Sequence, residues 1–461
     1  MDSEMGEVGV TRALAAWASG IGACDPATSG WPQLAAAPSE PLAWAKHALL
    51  DWLAVTVAAK EEPLVRILRE EYGGSAAAGA LLVAQQRTGR VQDAALVNGA
   101  AGHALDFDDV SMRMTGHPSA PVIPAALAMA EAQRASGIEL LRAIVAGHEV
   151  AARMGDAMGA AHYRQGFHVT GTIGTLAAAA ACGVLQKLPA GPMTHALGLA
   201  ATQAAGLKVV FGSMAKPLHA GKAAMHGAMA VRLAGAGFTA SETAIEGPQG
   251  FMRTLAPSHE AFDKGMDLAA GFAIRTTLFK YHAACYLTHA AIEAVARLRK
   301  AHAIGLDDLE CMHVAVARNH RGVCDIAEPR DGLELKFSIQ QLVLLALDGA
   351  DTAALALYTD AMAQDPRLRR SLPRVTLEFT DQDDEDFTWV KLLTRDGRRL
   401  VEGSTVAIPA TDLGAQWTRL VAKAEAIAKP VLGAAAFGAM LDAVGTLEQA
   451  PGLEALLEAI R

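Results

Sequence analysis

The most chemically distinctive stretch of the chain is HALDFDDV at residues 103–110, which places three aspartates within four positions and a histidine just before them. His117 follows in GHPSAPV. A carboxylate beside an imidazole can orient it and raise its proton affinity, as acid/base catalysis requires. At a helix end, Asp106 and Asp109 would share a face while Asp108 points elsewhere. A helix cap with solvated carboxylates is the alternative interpretation, and this stretch taken alone favours it.

Two further stretches place titratable side chains in apolar surroundings. His168 precedes a Thr- and Gly-rich helix start in GFHVTGTIGTL, where free backbone N–H groups attract anions. A simple helix-capping role is the alternative for this histidine. The segment SMAKPLHAGKAAMHG (213–227) carries Lys216, His219, Lys222 and His226. The last three recur at helical spacing, and neighbours such as Pro, Gly and Ala are not typical of a solvated face.

A fourth stretch, LFKYHAACYLTHAA (278–291), contains Lys280 and a possible set of metal ligands. His282, Cys285 and His289 fall at i, i+3 and i+7 and could lie on one side of a helix. The sequence has no second cluster with ligand spacing and no H-E-x-x-H motif, which argues against zinc. Packing of Cys285 and His289 is therefore favoured, and a metalloenzyme stays open as an alternative.

Bulk properties exclude several classes of protein. The net charge is −9 and no basic block occurs, so nucleic acid is not an expected partner. Five scattered cysteines without a C-x-x-C motif, together with the absence of a secretion signal, indicate a cytoplasmic protein. The run at 171–185 is rich in Ala, Gly and Thr and predicts an interior helix rather than a membrane span. Phosphate-binding loops, dinucleotide fingerprints and G-x-S-x-G elbows are absent.

Hydrophobic periodicity predicts a mainly α protein. Helical spacing dominates to about residue 270, with no convincing strand in that part. Period-two alternation then appears at 312–319, 374–379 and 387–408, the last as a hairpin around RDGR, with a buried helix at 336–349 between them. The final stretch, 432–461, is again helical. We predict a large all-helical domain formed by 1–275 plus 410–461, and a smaller α+β domain at 276–409.

Taken in order, these stretches resemble the MmgE/PrpD superfamily, which includes 2-methylcitrate dehydratase, cis-aconitate decarboxylase and iminodisuccinate epimerase. The resemblance extends through AKHALLDWLAVTVA, DAALVNGAAGHALDFDDV, GHPSAPVIPAALAMAE, GFHVTGTIGTLAAAAA, KPLHAGKAAMHG, FKYHAACYLTHAAIEA and ELKFSIQQLVLLALDG. It implies a PrpD-like fold in which the α+β domain acts as a lid, an active site between the two domains, and a homodimer. It also implies a small di- or tricarboxylate as substrate and no metal or organic cofactor.

The resemblance also implies roles for individual residues. His117 and His168 match the family's active-site histidines, and we expect them to transfer protons. Asp106 matches its active-site aspartate and would orient a histidine. Lys216 and Lys280 match its two lysines, whose ammonium groups would hold carboxylates and stabilise developing negative charge.

Substrate-binding roles are further predicted for His219 and for Gln341, which stands where the family usually has tyrosine. Val110 replaces a threonine that is often found in the decarboxylase. The expected chemistry is proton transfer at the carbon α to a carboxylate, leading to dehydration, decarboxylation or epimerisation. The alternative is a homologue that binds carboxylates without catalysis.

Overall fold

The computed structural model describes residues 9–23, 39–74, 79–256, 272–382, 384 and 386–461. The chain divides into two compact units. The first comprises Met1–Phe279 with Thr411–Arg461, and the second comprises Lys280–Ala410. Among the described residues the secondary structure is mainly α-helical, as the sequence predicts. In this part of the chain no helix combines the length and the apolar character that crossing a membrane requires.

The first unit is a layered helical body built around one fully buried helix. Its elements up to residue 255 are α1 (Val10–Ala23), α2 (Ser39–Ala58), α3 (Pro63–Tyr72), β1 (Ala80–Leu82), β2 (Arg87–Gly89), α4 (Val91–Ala104), α5 (Ser119–Gln133), α6 (Gly137–Arg164), α7 (Val169–Leu185), α8 (Ala190–Gln203), α9 (Ala215–Gly235) and α10 (Phe251–Leu255). Every residue of α7 is buried, because α5, α6, α8 and α9 all pack against it. The prediction of an interior helix at 171–185 is confirmed.

The prediction that no strand precedes residue 270 is wrong in one place. Strands β1 and β2 pair antiparallel as a short ribbon, with Leu81 opposite Thr88. Each strand has three residues, and β1 is buried throughout. A segment that short and fully buried shows no alternation between apolar and polar residues, so its periodicity carries no strand signal.

The second unit combines helices with a four-stranded sheet. It contains α11 (His289–His302), β3 (Leu309–Ala317), α12 (Gly332–Leu335), α13 (Ile339–Asp348), α14 (Asp360–Ala363), α15 (Pro366–Ser371), β4 (Val375–Thr380), β5 (Phe387–Thr394) and β6 (Arg399–Thr405). The strand order is β4-β3-β5-β6, with β3 and β4 parallel and the other pairs antiparallel. Side chains of β5 alternate between buried and more exposed, and α11 packs against the sheet. The predicted strands and the predicted hairpin are confirmed.

The chain then returns to the first unit as helices α16 (Leu413–Ile427), α17 (Lys429–Leu432), α18 (Ala434–Gly445) and α19 (Glu454–Ala459). Helix α16 packs against α2. At this contact the Lys423 ammonium lies 2.6 Å from the Asp51 carboxylate and donates to the Phe107 carbonyl oxygen at 2.7 Å. All three residues are buried. The C-terminal segment therefore anchors the loop that carries the aspartate cluster.

Helices α4 and α9 approach each other closely where two glycines meet. A Cβ atom on Gly99 would lie 2.9 Å from the Gly221 Cα atom, and one on Gly221 would lie 2.3 Å from the Leu96 carbonyl oxygen. Only glycine allows this separation, because real Cβ atoms do not approach a backbone that closely. The crossing brings the C-terminal turn of α4 beside the first turns of α9, where His103 and Lys216 reside.

The carboxyl group of Asp109, a residue of the loop 105–118, is held by a buried polar network. Its carboxylate accepts hydrogen bonds from the Ser119 hydroxyl at 2.6 Å and the Ser119 backbone N–H at 3.2 Å. The Ser119 hydroxyl also lies 3.1 Å from His148 Nε2. The pKa of Asp109 is raised to about 8, mainly because the carboxyl group is buried. The negative charges of Asp51 and Asp108 raise this pKa further, whereas the hydrogen bonds from Ser119 lower it. Burial lowers the pKa of His148 to about 3.

The glycine crossing predicts a large cost for one added methyl group. We expect Gly221→Ala to lower the free energy of unfolding by about 1–3 kcal/mol, because the new Cβ must displace the α4 backbone. Gly438→Ala in α18 is the matched control, since its Cβ would meet no atom within 4 Å and alanine favours a helix over glycine. Urea denaturation of both variants measures the difference. Equal stability of the two variants would contradict the close approach.

The buried Asp109 carboxyl predicts a specific dependence of stability on pH. Its pKa rises from about 3.9 in an unfolded chain to about 8 in the folded one, so the folded state binds more protons between these values. Its contribution to stability is therefore full below about pH 4 and is lost as the pH rises towards 8. Asp109→Asn resembles the protonated form, and its unfolding free energy relative to the parent should increase from pH 5 to pH 8. Urea denaturation at both pH values tests this, with the exposed Asp156→Asn as control.

Candidate active site

Three segments of the first unit converge on one polar cluster in the apolar helical body. The C-terminal turn of α4 and the loop after it supply His103, Asp106, Asp108 and His117. The N-terminus of α7 supplies His168, and the first turns of α9 supply Lys216 and His219. The cluster thus brings together five residues that the sequence predicts for the site: Asp106, His117, His168, Lys216 and His219.

The loop places its aspartates differently from the sequence prediction. Helix α4 ends at Ala104, and Asp106 adopts a left-handed backbone with φ of 51°, which breaks the helical spacing. Asp106 and Asp109 therefore do not share a helix face, and that prediction is wrong. The interpretation as solvated carboxylates is also wrong for Asp108 and Asp109, because both are fully buried.

Asp106 forms an ion pair with Lys216. The Lys216 ammonium nitrogen lies 2.9 Å from Asp106 Oδ1, whereas His117 Nε2 lies 3.8 Å from the same oxygen. The Asp106 side chain is 40% exposed and that of Lys216 is 15% exposed. The pair therefore forms the more accessible part of the cluster, and Lys216 presents a positive charge there.

The loop backbone determines which ring nitrogen of His117 carries a proton. Its Nδ1 lies 2.7 Å from the Asp109 carbonyl oxygen, and a carbonyl can only accept, so Nδ1 must carry a proton. The other ring nitrogen, Nε2, faces Asp106 Oδ1. When the imidazole is neutral, Nε2 carries the lone pair and can accept a proton. His117 thus has the orientation that a general base requires.

His103 and Asp108 form a buried pair that was not predicted from the sequence as part of the site. His103 Nδ1 lies 3.0 and 2.9 Å from the two Asp108 oxygens, and neither side chain is exposed. The centroid of the His103 ring lies 4.7 Å from that of His117 and 5.7 Å from that of His168. One feature of the sequence indicates this pair, because His103 lies in the last turn of the helix that leads into the aspartate loop.

His168 occupies the N-cap position of α7 without capping the helix through its side chain. Its Nδ1 instead lies 3.1 Å from His219 Nδ1, and its ring meets Phe211 edge-on at 5.0 Å. Burial is the main cause that holds the pKa of His168 far below its usual range, and the nearby His103 and Lys216 add to it. Burial likewise lowers the pKa of His219. His168 is therefore neutral near pH 7.

Lys280 and Gln341, the other two predicted residues, lie in the second unit. The Lys280 side chain is buried, and its charge helps to lower the pKa of His289, after burial and the charge of His282. Gln341 is fully buried and donates its amide Nε2–H groups to the carbonyl oxygens of Met362 and Ala363. This amide fastens α13 to the α14 segment of the same unit.

The possible metal set of the second unit has protein partners. His282 Nδ1 lies 2.7 Å from Thr352 Oγ1, and His289 Nε2 lies 3.2 Å from the Ala284 carbonyl oxygen. The Cys285 thiol is hydrogen-bonded to that of Cys324. These contacts agree with the structural packing that the sequence favours for Cys285 and His289.

Within the described residues, one group has spacing that would suit a cation: His103, Asp106, Asp108 and His117, whose ligand atoms lie within 4.8 Å of one another. The protein itself already supplies compensating groups at both carboxylates. Lys216 pairs with Asp106, and His103 donates to Asp108. The arrangement therefore fits a proton-transfer cluster better than a metal centre.

The chain matches two family models along most of its length. Residues 33–262 match the MmgE/PrpD N-terminal domain, and residues 282–447 match the MmgE/PrpD C-terminal domain. The polar cluster of the first unit lies within the N-terminal match.

Several characterised relatives share part of this sequence. The cis-aconitate decarboxylase of Aspergillus terreus is 30% identical over 314 residues, which are 63% of this chain and 60% of that protein. The human cis-aconitate decarboxylase is 33% identical over 219 residues, 45% of this chain and 44% of the relative. The cis-aconitate decarboxylase-like protein oryM of Aspergillus oryzae is 28% identical over 280 residues, 57% of this chain and 58% of the relative. The matches span less than two thirds of each relative, and the two domain matches together show that the chain belongs to the MmgE/PrpD family.

Proposed function

We propose that this chain is a cofactor-independent lyase of the decarboxylase or dehydratase type that acts on a small di- or tricarboxylate. The observation that carries the proposal is the convergence of His117, His168 and Lys216 in one buried cluster. A binding protein needs the ammonium group but has no use for two imidazoles beside it. The names of the relatives, cis-aconitate decarboxylases, favour a lyase.

The proposed reaction uses the ion pair to bind and the histidines to move a proton. A substrate carboxylate would share the Lys216 ammonium with Asp106, which neutralises part of its charge. In a dehydration, an imidazole takes the proton from the carbon α to the carboxylate as hydroxide leaves with a second proton, forming water and a C=C bond. In a decarboxylation, CO₂ leaves first, and an imidazolium protonates the electron-rich carbon. In both, the lysine stabilises the transient negative charge.

A proton NMR screen of carboxylic acids in D₂O tests the activity directly. Purified protein is incubated with cis-aconitate, citrate, 2-methylcitrate and iminodisuccinate. A product with one carboxyl group fewer identifies a decarboxylase, new alkene signals from citrate or 2-methylcitrate with all carboxyl groups retained identify a dehydratase, and deuterium at carbon without either product identifies an epimerase. Neither turnover nor deuterium exchange with any of these acids would favour the alternative of a carboxylate-binding homologue.

The proposed acid/base roles predict strong effects of single substitutions. We expect His117→Gln and His168→Gln each to lower kcat by about 10²- to 10⁴-fold, because proton transfer by a positioned side chain contributes that much. His313→Gln is the matched control, since His313 lies on β3 and pairs with Glu378 at the surface. Steady-state kinetics on the acid identified by NMR provide the measurement. Full turnover in both site variants would exclude the proton-transfer mechanism.

The proposed role of Lys216 predicts an effect on binding as well as on rate. Lys216→Met removes the ammonium while keeping an apolar stem, and we expect KM to rise by at least about tenfold because one charged hydrogen bond to the substrate is lost. Lys187→Met is the control, because Lys187 is exposed and pairs with Glu139. An unchanged KM in Lys216→Met would contradict substrate binding at this lysine.

The metalloenzyme alternative is tested by removing metal. Elemental analysis of the purified protein and turnover after dialysis against a chelator are measured together. We expect turnover to be unchanged, because the site groups already compensate each other's charge. Loss of turnover that returns only with one added divalent metal would replace the proposal with a metal-assisted reaction.

A further inference from the structure

Asp108 is a fully buried carboxylate that lies between two imidazoles. Both of its oxygens lie within 3.0 Å of His103 Nδ1, and Oδ2 also lies 3.6 Å from His117 Nδ1. We propose that Asp108, held in place by His103, is the positioning carboxylate for His117. In this role it stabilises the imidazolium that forms when His117 takes a proton. The inference rests on the proposed function, in which His117 is an acid/base group.

Burial makes Asp108 the stronger electrostatic partner of His117. The side chain of Asp108 is 0% exposed, whereas that of Asp106 is 40% exposed. Charges that are removed from solvent interact more strongly, because water and salt screen them less. Asp106 also lies closer to the Lys216 ammonium, at 2.9 Å, than to His117, at 3.8 Å. Its charge is therefore already balanced on the accessible side of the cluster.

His103 fixes the carboxylate rather than acting on a substrate. Its Nδ1 must donate to Asp108, since an ionised carboxylate only accepts, and its Nε2 is buried without a hydrogen-bond partner. His103 holds Asp108, and Asp108 Oδ2 lies 3.6 Å from the protonated Nδ1 of His117. A buried aspartate behind a catalytic histidine has this positioning role in hydrolytic triads, where it stabilises the imidazolium.

The orientation of the His117 ring depends on the loop backbone as well as on Asp108. The Asp109 carbonyl accepts from His117 Nδ1 at 2.7 Å, so the tautomer of His117 survives without the Asp108 charge. Asp108→Asn should therefore remove charge stabilisation while leaving the ring orientation in place. We expect kcat to fall on the order of 10²-fold, less than the roughly 10⁴-fold loss in triads where the tautomer also changes.

The pH profile separates this role from a structural one. Several charged and titratable groups surround His117. They are Asp106, Asp108, His103, His168 and Lys216, together with the buried carboxyl group of Asp109 in the same loop. Removing the negative charge of Asp108 makes protonation of His117 less favourable. The limb of kcat against pH that reports His117 should therefore move to lower pH in Asp108→Asn. This is the acidic limb where His117 takes the proton and the alkaline limb where its imidazolium gives one. A damaged fold would lower the active fraction at every pH without moving the limb.

The experiment compares the full chain with Asp108→Asn and His103→Leu, using the acid that the NMR screen identifies. His103→Leu removes the hydrogen-bond donor of a fully buried carboxylate, which favours the protonated, uncharged form of Asp108. We therefore expect the same limb to move to lower pH in this variant, as in Asp108→Asn. Asp156→Asn, whose exposed carboxylate pairs with Arg113, should leave the profile unchanged. Thermal unfolding verifies that each variant folds.

Displacement of this limb to lower pH in both variants would support the inference. An unmoved limb in a folded Asp108→Asn would overturn it, whatever the change in kcat. If Asp108→Asn fails to fold, an unmoved limb in His103→Leu overturns it as well. Failure of the proposed function is distinct, because then the unsubstituted chain turns over none of the carboxylic acids.

Discussion

The loop 105–118 depends on partners for its three aspartates. Asp108 and Asp109 are fully buried in a body made largely of small apolar residues, where a carboxyl group without a partner would be strongly unfavourable, while Asp106 is 40% exposed. A different helix supplies the partner of each one: α9 through Lys216, α4 through His103, and α5 through Ser119. Because these partners come from separate helices, the loop can form only when all three helices are correctly packed. The candidate site is therefore a consequence of the fold rather than an addition to it.

Small residues make that convergence possible. The approach of Gly99 and Gly221 brings α4 and α9 close enough for side chains on neighbouring turns to meet across the crossing. Larger side chains at these positions would separate the helices, and the partners of the aspartates would move apart with them. The alanine-rich composition and the polar cluster are two aspects of the same arrangement. Small side chains allow short distances between the helices, and the contacts of the polar cluster require those short distances.

Local patterns in the sequence predict the fold, whereas the resemblance to the family predicts which residues of the first unit belong to the cluster. Helical periodicity locates α4, α7 and α9, and alternation locates the strands of the second unit. The residues matched to the family, such as His117 and Lys216, do meet in space. The ribbon at residues 80–89 was not predicted, because three consecutive buried residues show no alternation between apolar and polar side chains.

The roles of the individual aspartates could not be predicted, since one backbone angle decides them. The left-handed conformation of Asp106 ends the helical geometry that the spacing assumes. As a result Asp106 turns to Lys216, Asp108 turns inward to His103, and Asp109 turns to Ser119. A positive φ at a non-glycine residue has no sequence signature, although aspartate tolerates it better than most residues do. Contacts that depend on such an angle are visible only in three dimensions.

The two principal histidines occupy opposite electrostatic environments, and the proposed reaction needs such a difference. His168 lies among cationic and titratable neighbours, and burial keeps it neutral. His117 lies near two carboxylates, with Nε2 3.8 Å from Asp106 Oδ1 and Nδ1 3.6 Å from Asp108 Oδ2. A site in which both imidazoles preferred the same state could remove a proton or supply one, but could not readily do both. The proposed dehydration must remove a proton from carbon and supply one to the leaving hydroxide, and the different surroundings of His117 and His168 would suit that division of roles.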